Sequence, residues 1–469
     1  MSLPSNWASA SILTCGTFIR GVTYKKQDAS TTKKPGYTRL LRANNISNRN
    51  INTEEIVYVP LHNISETQIL QSGDILIATS SGSPSVVGKA AQLKNDTDMS
   101  FGAFCGVIRP YRDLNPEYIG HFFSSKQYRD RISKLARGTN INNIKQEHFE
   151  SIKIPLPPIN EQRRIANKLD RVQARVDAAN EHLSRVAPII KRFRQSVLAA
   201  ATSGRLTEDW REKNTIKLTD TSNEIDSFRT SQLPELPHSW SWKPFSSIAR
   251  VSSNLQDPSA HTDSIHLAPN HVESWTGRID GVRTIAEDGV TSPKHKFNAG
   301  QIVYSKIRPN LCKVAIPNFS GLCSADMYPI DTDIHVHYLA YWMRSQKFTD
   351  WASNAESRTV LPKINQAQLN TLPVPVPSSQ EEQAEIVRRV EKLFAFADRL
   401  EERLSQAQAA VQKLTPALLA KAFRGELVPQ DPNDEPASEL LKRLQESRAN
   451  DTKPRRARKP RATSAGEPS

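Results

Sequence analysis

"PLPPINEQRRIANKLDRV", residues 155–172, decides the fold. Prolines give way to a charged segment, and the charge gives way to a periodic apolar pattern. "PVPSSQEEQAEIVRRVEKL", residues 375–393, does the same again. In the first copy the apolar residues are Ile165, Leu169, Val172, Val176, Ala179, Leu183, Val186, Ile190, Phe193 and Val197. Their spacing alternates four and three, the a/d seam of a heptad helix. A shift of 221 positions gives Ile386, Val390, Leu393, Ala397, Leu400, Leu404, Ala407, Val411, Leu414 and Leu418, every one apolar. Prolines favour extended chain ahead of a helix, so both helices are expected to begin just after them. "SVLAAATSGRLT" (196–207) and "ALLAKAFRGELV" (417–428) place Gly204 and Gly425 where a left-handed cap ends a helix. Pro188 and Pro416 fall inside the pattern and are expected to kink or split each helix.

A stripe this narrow has to be covered by another helix. About 33 residues at ~1.5 Å each make a helix of ~50 Å. The nearest partner is the other copy, in an antiparallel coiled coil within the chain. On periodicity alone, a coiled coil that merely dimerises the protein stays open. What lies between the copies argues against that. "GTNINNIKQEHFESIKIPLP" (138–157) aligns with "RTVLPKINQAQLNTLPVPVP" (358–377), "SGDILIAT" (72–79) with "AGQIVYSK" (299–306), and "LPSNW" (3–7) with "LPHSW" (236–240). The fold class is therefore α+β: two mixed α/β globules with mainly β cores, alternating with two long helices in a pseudo-twofold internal repeat. The expected boundaries are globule one 1–154, helical region one 155–205, linker 206–235, globule two 236–377, helical region two 378–430, and a short helix with a disordered basic tail 431–469.

Length agrees, since 469 residues suggest about three folded units. The 63 Lys+Arg against 49 Asp+Glu give a net charge of +14, which favours a polyanionic partner. Cys15, Cys105, Cys312 and Cys323 form no CxxC pair and read as free thiols of a reducing compartment. No charged stretch precedes an apolar one at the amino terminus, and no run nears ~18 apolar residues, so a soluble, cytoplasmic protein is expected.

Catalytic motifs fail on inspection. "SGSPSVVGKA" (81–90) is no P-loop, because five residues separate Gly82 from Gly88 and Ala90 stands where a hydroxyl should bind magnesium. "NPEY" (115–118) has Glu117 where an amino-methyltransferase motif needs proline, and "HVH" (335–337) lacks further ligands for a metal. No metal site and no catalytic residue is expected. What remains suits nucleic acid: Arg and Lys for phosphates and guanine edges, Asn for adenine, Ser and Gly for backbone approach to phosphate. In globule one the candidates are Arg20, Tyr24, Lys25, Lys26, Arg42, Asn44, Asn45, Ser80, Ser81, Ser83, Lys89, Asn140, Asn142, Asn143 and Lys145. In globule two they are Lys306, Arg308, Asn310, Lys313, Arg358, Lys363 and Asn365. Any one of these could be a solvated loop residue; their clustering in equivalent places of both halves favours DNA.

Across nearly its whole length the chain resembles the specificity subunit of type I restriction–modification systems. "PLPPINEQRRIANKLD" (155–170), "EEQAEIVRRVEKLFAFAD" (381–398) and "LLAKAFRGELV" (418–428) carry the resemblance. "RGVTYKK" (20–26), "RANNI" (42–46), "SSGSPSVVGK" (80–89), "SFGAFCGVIRP" (100–110) and "NINNIK" (140–145) look like the first recognition domain of the enteric K-type (type IA) subfamily. Globule two matches in layout only. The resemblance implies two target recognition domains, each reading one half of a split DNA site, and helices that dock two modification subunits. It implies that S-adenosylmethionine, ATP and magnesium bind partner subunits, which methylate adenine N6 or, in the restriction subunits, translocate and cut. A non-enzymatic coiled-coil adaptor with non-specific nucleic-acid binding is the main alternative, and an independent methyltransferase or single-chain restriction enzyme the second. The helix pair would act as a ruler. Four residues inserted in one helix add ~6 Å, about two base-pair rises, so the unread gap should lengthen with both half-sites unchanged; an unchanged gap would sink the idea.

Overall fold

The computed structural model describes residues 3–47, 49–138, 142–214, 233–354 and 362–451. The chain divides into two compact units, Met1–His182 with Ala407–Ser469, and Leu183–Gln406. Each unit holds one globule and part of each long helix.

The globules share a plan that their sequences barely show. In the first unit the central antiparallel sheet runs in the order Gly16–Arg20, Cys105–Pro110, Ile75–Ala78, Ala90–Gln92. In the second the order is Ala249–Val251, Met327–Thr332, Ile302–Ser305, Val314–Ala315. All four residues of "ILIA" (75–78) and of "IVYS" (302–305) are buried, as β-branched runs covered on both faces should be. A second sheet in each globule contains one parallel pair, Ser100–Phe101 beside Tyr37–Leu41 and Gly321–Cys323 beside Ile265–Leu267.

Two short helices then pack on each central sheet, Pro116–Phe123 with Lys126–Leu135, and Val336–Met343 with Gln346–Asn354. "NPEY" begins the first of them for a structural reason. The Asn115 side chain accepts from the Tyr118 amide at 2.8 Å, with Pro116 at the first helical position. Tyr118, Phe122, Phe123 and Tyr128 are fully buried, and Phe423 of the second long helix lies 5.3 Å from Phe122. In the second unit the equivalent cluster is built from Trp242, Trp342 and Trp351. The expected short helix, Ala437–Asp451, buries Leu440 and Leu444 against globule one.

Each globule closes on a strand pair that feeds a long helix: Ala8–Ser11 with Lys153–Leu156, then Ile159–Thr202; and Trp240–Pro244 with Pro373–Pro377, then Gln380–Ala422. The joint is the same in both units. Trp7 Nε1 donates to Glu161 Oε2 at 3.0 Å, as Trp240 Nε1 does to Glu382 Oε2. Tyr118 Oη donates to the Pro155 carbonyl at 2.6 Å, and Tyr338 Oη to that of Pro375 at 2.5 Å. Gln162 and Gln383 bond the carbonyls of Pro157 and Pro377. Gly204 and Gly425 both take φ 78°, and a Cβ there would stand 2.4 Å from Pro237 Cγ and 2.5 Å from Pro4 Cγ. Only glycine fits, on backbone and on space.

Within each unit the two helices run antiparallel. In the first, Thr415 Oγ1 donates to Gln173 Oε1 at 3.0 Å, and further along Lys168 Nζ reaches the Leu427 carbonyl at 3.1 Å. In the second, Arg194 pairs with Asp398 at 2.6 Å, and Arg389 donates to the Leu206 carbonyl at 2.8 Å. Ile165, Leu169, Val176, Ile190, Ile386, Val390 and Leu404 of the expected seam are buried. Val172, Leu183, Phe193, Leu393, Leu400 and Val411 are half-buried.

Three expectations need correction. Leu414 is 46% exposed; Thr415 and Leu419 face inward instead. A straight helix of 3.6 residues per turn drifts from a 3.5 repeat by about 20° per heptad, so the seam moves on by one position. Neither proline splits its helix, since Pro188 and Pro416 are exposed and the helices run through them. The linker expected at 206–235 begins later: Arg205–Thr207 and Glu208–Lys213 are helical, and Arg211 is tied to Glu382 at 2.5 Å. Residues 215–232 and the basic tail from 452 lie outside the described residues.

All four cysteines are buried free thiols. Burial pushes Cys15, Cys105 and Cys323 up to about 12 and Cys312 to about 11, which leaves them unreactive. Among the described residues no helix is long and apolar enough to cross a membrane.

Candidate nucleic-acid interface

In globule one the chain leaves the central strand Ile75–Ala78 and enters a second, two-residue pairing. Ser80 sits opposite Asn143 and Ser81 opposite Asn142. Segments far apart in sequence are thereby brought to one edge. Beside them a cavity of about 580 Å³ is lined by Tyr24, Lys26, Arg42, Asn44, Ser80 and Phe104, among others. Five of the expected residues, from three separate stretches, share this surface. Arg20, Lys25, Lys26, Asn44, Ser83, Asn143 and Lys145 are exposed, and Lys89 is half-buried. Lys145 lies 3.3 Å from Glu147. Arg42 Nε is buried and has no hydrogen-bond partner among the described residues.

Two expected contacts are structural instead. The Asn45 side chain is buried, with Nδ2 donating to the carbonyls of Asn52 (2.9 Å) and Glu55 (3.0 Å) and Oδ1 accepting from the Arg42 amide (2.8 Å). Both of its amide donors are thereby used within its own turn, and its oxygen is buried. Asn142 is buried and turned toward the Ser81 and Gly82 carbonyls.

Globule two repeats the placement with other chemistry. After Ile302–Ser305, Ile307 bridges Lys363, the Ile364 amide donates to the Lys306 carbonyl at 2.9 Å, and the Arg308 amide donates to that of Pro362 at 2.7 Å. Lys363 opposite Ile307 thus stands where globule one has Asn143 opposite Ser80, with Arg308 in the place of Ser81 and Lys306 in the place of Thr79. Burial, then the neighbouring Lys363 charge, draws the Lys306 ammonium below the usual lysine range. Its Nζ lies 4.7 Å above the Tyr328 ring. Arg308 holds a left-handed φ of 47°, and Asn310 is exposed. Lys313 bonds the Pro269 carbonyl, and Asn365 caps the helix Gln366–Asn370, so both are corrected to structural roles. Asn140 and Arg358 lie outside the described residues.

One surface residue escaped the sequence reading. Phe104 is 69% exposed at the rim of the cavity, within a motif whose Phe101 is wholly buried. Its burial could not be told from that of Phe101 by alternation alone. Among the described residues no group of three or more His, Cys, Asp or Glu is placed to hold a metal. What the two edges offer is a set of cationic and amide donors with small hydroxyls, suited to phosphates and base edges.

Comparison with known proteins bears on the family and the fold. The family model for the type I restriction modification DNA specificity domain matches residues 4–186 and 277–407. The EcoKI specificity subunit of Escherichia coli K12 is 36% identical over 471 residues, covering 95% of this chain and 96% of its own. The StySPI specificity subunit of Salmonella potsdam is 35% identical, with the same coverage. The EcoDI specificity subunit of Escherichia coli is 49% identical over 329 residues, 68% of this chain and 74% of its own. Among solved structures, a chain from a study of complex assembly and conformational transition of the type I R-M system aligns over 91% of this chain and 100% of its own, with TM-score 0.66 at 17% identity. The HsdS subunit of Thermoanaerobacter tengcongensis aligns over 91% of this chain and 99% of its own, with TM-score 0.54 at 18% identity; both likenesses concern the fold alone.

Proposed function

Because the chain belongs to the type I restriction–modification DNA specificity family, we propose that it is the DNA sequence-specificity subunit of such a complex, reading a split, asymmetric site with one globule per half-site. The observation that carries the reading is the repeated edge. The same topology presents Thr79, Ser80, Ser81 and Asn143 in globule one and Lys306, Ile307, Arg308 and Lys363 in globule two. Equal placement with unequal side chains reads two different half-sites. The chain works beside other restriction–modification subunits and DNA.

Finer points extend this reading. Two modification subunits dock, one per copy of the helix repeat, and methylate adenine N6 on opposite strands. S-adenosylmethionine, ATP and magnesium are bound by partner subunits, and this chain contributes no catalytic group. The complex works in the cytoplasm, where DNA is found and thiols stay reduced. A single-molecule map of N6-methyladenine in the host genome, with and without the gene, tests the proposal. A split, asymmetric motif that vanishes on deletion supports it. If co-expression with the modification subunit also leaves the map unchanged, the reading fails.

A further inference from the structure

Each globule makes a further polar attachment to the long helices. In the first unit a hairpin pairs Ile46 with Ile51 and Ser47 with Asn50, and Arg49 at its tip takes φ 73°. Arg49 Nη1 donates to Gln173 Oε1 of the first long helix at 2.7 Å, and the same oxygen accepts from Thr415 of the second. In the second unit Val272 bridges Ile279, and Trp275 between them takes φ 70°. Arg278 Nη2 donates to Asp398 and, at 3.1 Å, to Glu401 of the second long helix. Those carboxylates also hold Arg194 of the first helix, at 2.6 and 3.2 Å.

The two hairpins are equivalent in the fold. Both follow a short turn closed by one side chain onto the backbone, Asn45 on Arg42 and His271 on Ala268. Thr415 and Arg194 occupy the same position in the two copies of the helix repeat. Non-glycine residues at positive φ cost free energy and persist where their surroundings hold them. Next to Arg278 the space is also specific, for a Cβ on Gly277 would stand 2.1 Å from the Val314 carbonyl oxygen. Apolar packing, such as Phe122 on Phe423 and Tyr338 beside Ile386 and Val390, already seats each globule near its tryptophan–glutamate joint; a further polar contact that engages both helices adds a second point of support and opposes tilting about that joint.

We propose that Arg49 and Arg278 are positioning residues, each locking its recognition globule in one orientation on the helix pair and so fixing which gap between half-sites is methylated. The inference rests on the specificity reading above. It predicts a separation between what is read and how far apart it is read. Among the described residues, neither arginine is hydrogen-bonded to a candidate DNA-contacting side chain.

The test co-expresses the full chain with its modification subunits in a host carrying a plasmid library. Each plasmid holds both half-sites at the native gap or at one base pair more or fewer, and N6-methyladenine is counted per gap. For Arg278→Ala the preference for the native gap is expected to fall by about tenfold, as losing two partly shielded charge pairs allows. Both half-site sequences should stay unchanged, and Arg278→Lys should restore part of the preference. Lower methylation at every gap with an unaltered preference would reduce Arg278 to a structural role and overturn the proposal. A wild-type chain that writes no split motif would instead overturn the specificity reading itself. Should Arg278→Ala fail to fold, Glu401→Gln weakens the same node and is read the same way.

Discussion

Trp7 and Glu161 are joined by a 3.0 Å hydrogen bond that Trp240 and Glu382 repeat at the same length, yet the two carboxylates live in different surroundings. Glu382 also accepts from Thr207 Oγ1 at 2.8 Å and from Arg211 Nη1 at 2.5 Å. Glu161 receives Gln430 Nε2 at 3.3 Å and, among the described residues, no guanidinium. Burial accordingly holds the Glu161 carboxyl above the usual range, against the pull of the Trp7 bond and the Arg164 charge. One joint contains a buried ion pair; the other contains a buried carboxylate short of counter-charge.

The ion pair makes Arg211 the sensitive member. Arg211→Ala leaves the Glu382 carboxylate, which is fully buried, without its cation, and should destabilise the second unit by about 3 kcal/mol. Six of the seven tryptophans belong to that unit, so tryptophan fluorescence in a urea titration follows it. An unchanged midpoint would mean that Thr207 and Trp240 suffice to hold the charge.

Glu161 should behave in the opposite sense. Its folded-state pKa lies above the unfolded one, so ionised Glu161 penalises the folded unit. The penalty is present above the raised pKa and is lost as pH falls through it toward the unfolded value. Glu161→Gln keeps an acceptor for Trp7 and removes the charge. The variant should therefore be as stable as wild type or more stable at neutral pH, and this advantage should disappear in mildly acidic buffer. Thermal melts across that range check it; a constant difference would place the cause elsewhere.

The joints and the helices were legible because a repeat doubles the evidence. Ile165 or Ile386 alone is an apolar residue, whereas ten pairs in one register define a seam. The register misplaced Leu414 because a heptad template is stiffer than a helix. The paired hairpins were invisible. Arg49 and Arg278 stand in unlike sequences, neither tip carries glycine at the left-handed residue, and Arg278 meets its carboxylates 120 residues or more away. Lys313 and Asn365 matched the composition of a DNA-contacting loop, but composition does not reveal that a backbone carbonyl or a helix end already holds the side chain.

The displaced seam can be measured. Ile190 is 3% exposed and packs with Ala397 and Leu404, so Ile190→Ala should cost about 2–4 kcal/mol. Leu414→Ala should stay within about 0.5 kcal/mol, as substitutions at exposed positions do. Equal losses in denaturant titrations would restore Leu414 to the seam.

Neighbouring asparagines in globule one give the sharpest division between reading and folding. Asn44 is exposed and lines the cavity with Arg42 and Tyr24. Asn45 is buried and serves two carbonyls and one amide of its own turn. Asn44→Ala should leave the melting temperature in place and relax base preference at one position of one half-site, by about 1–3 kcal/mol of discrimination if its amide reads adenine. Asn45→Ala should lower stability by about 1–3 kcal/mol, the cost of stranding buried polar groups, and leave the written motif unchanged. Both outcomes come from methylation maps and melts of the same two variants. A motif altered by Asn45→Ala in a chain of normal stability would return that residue to the DNA surface.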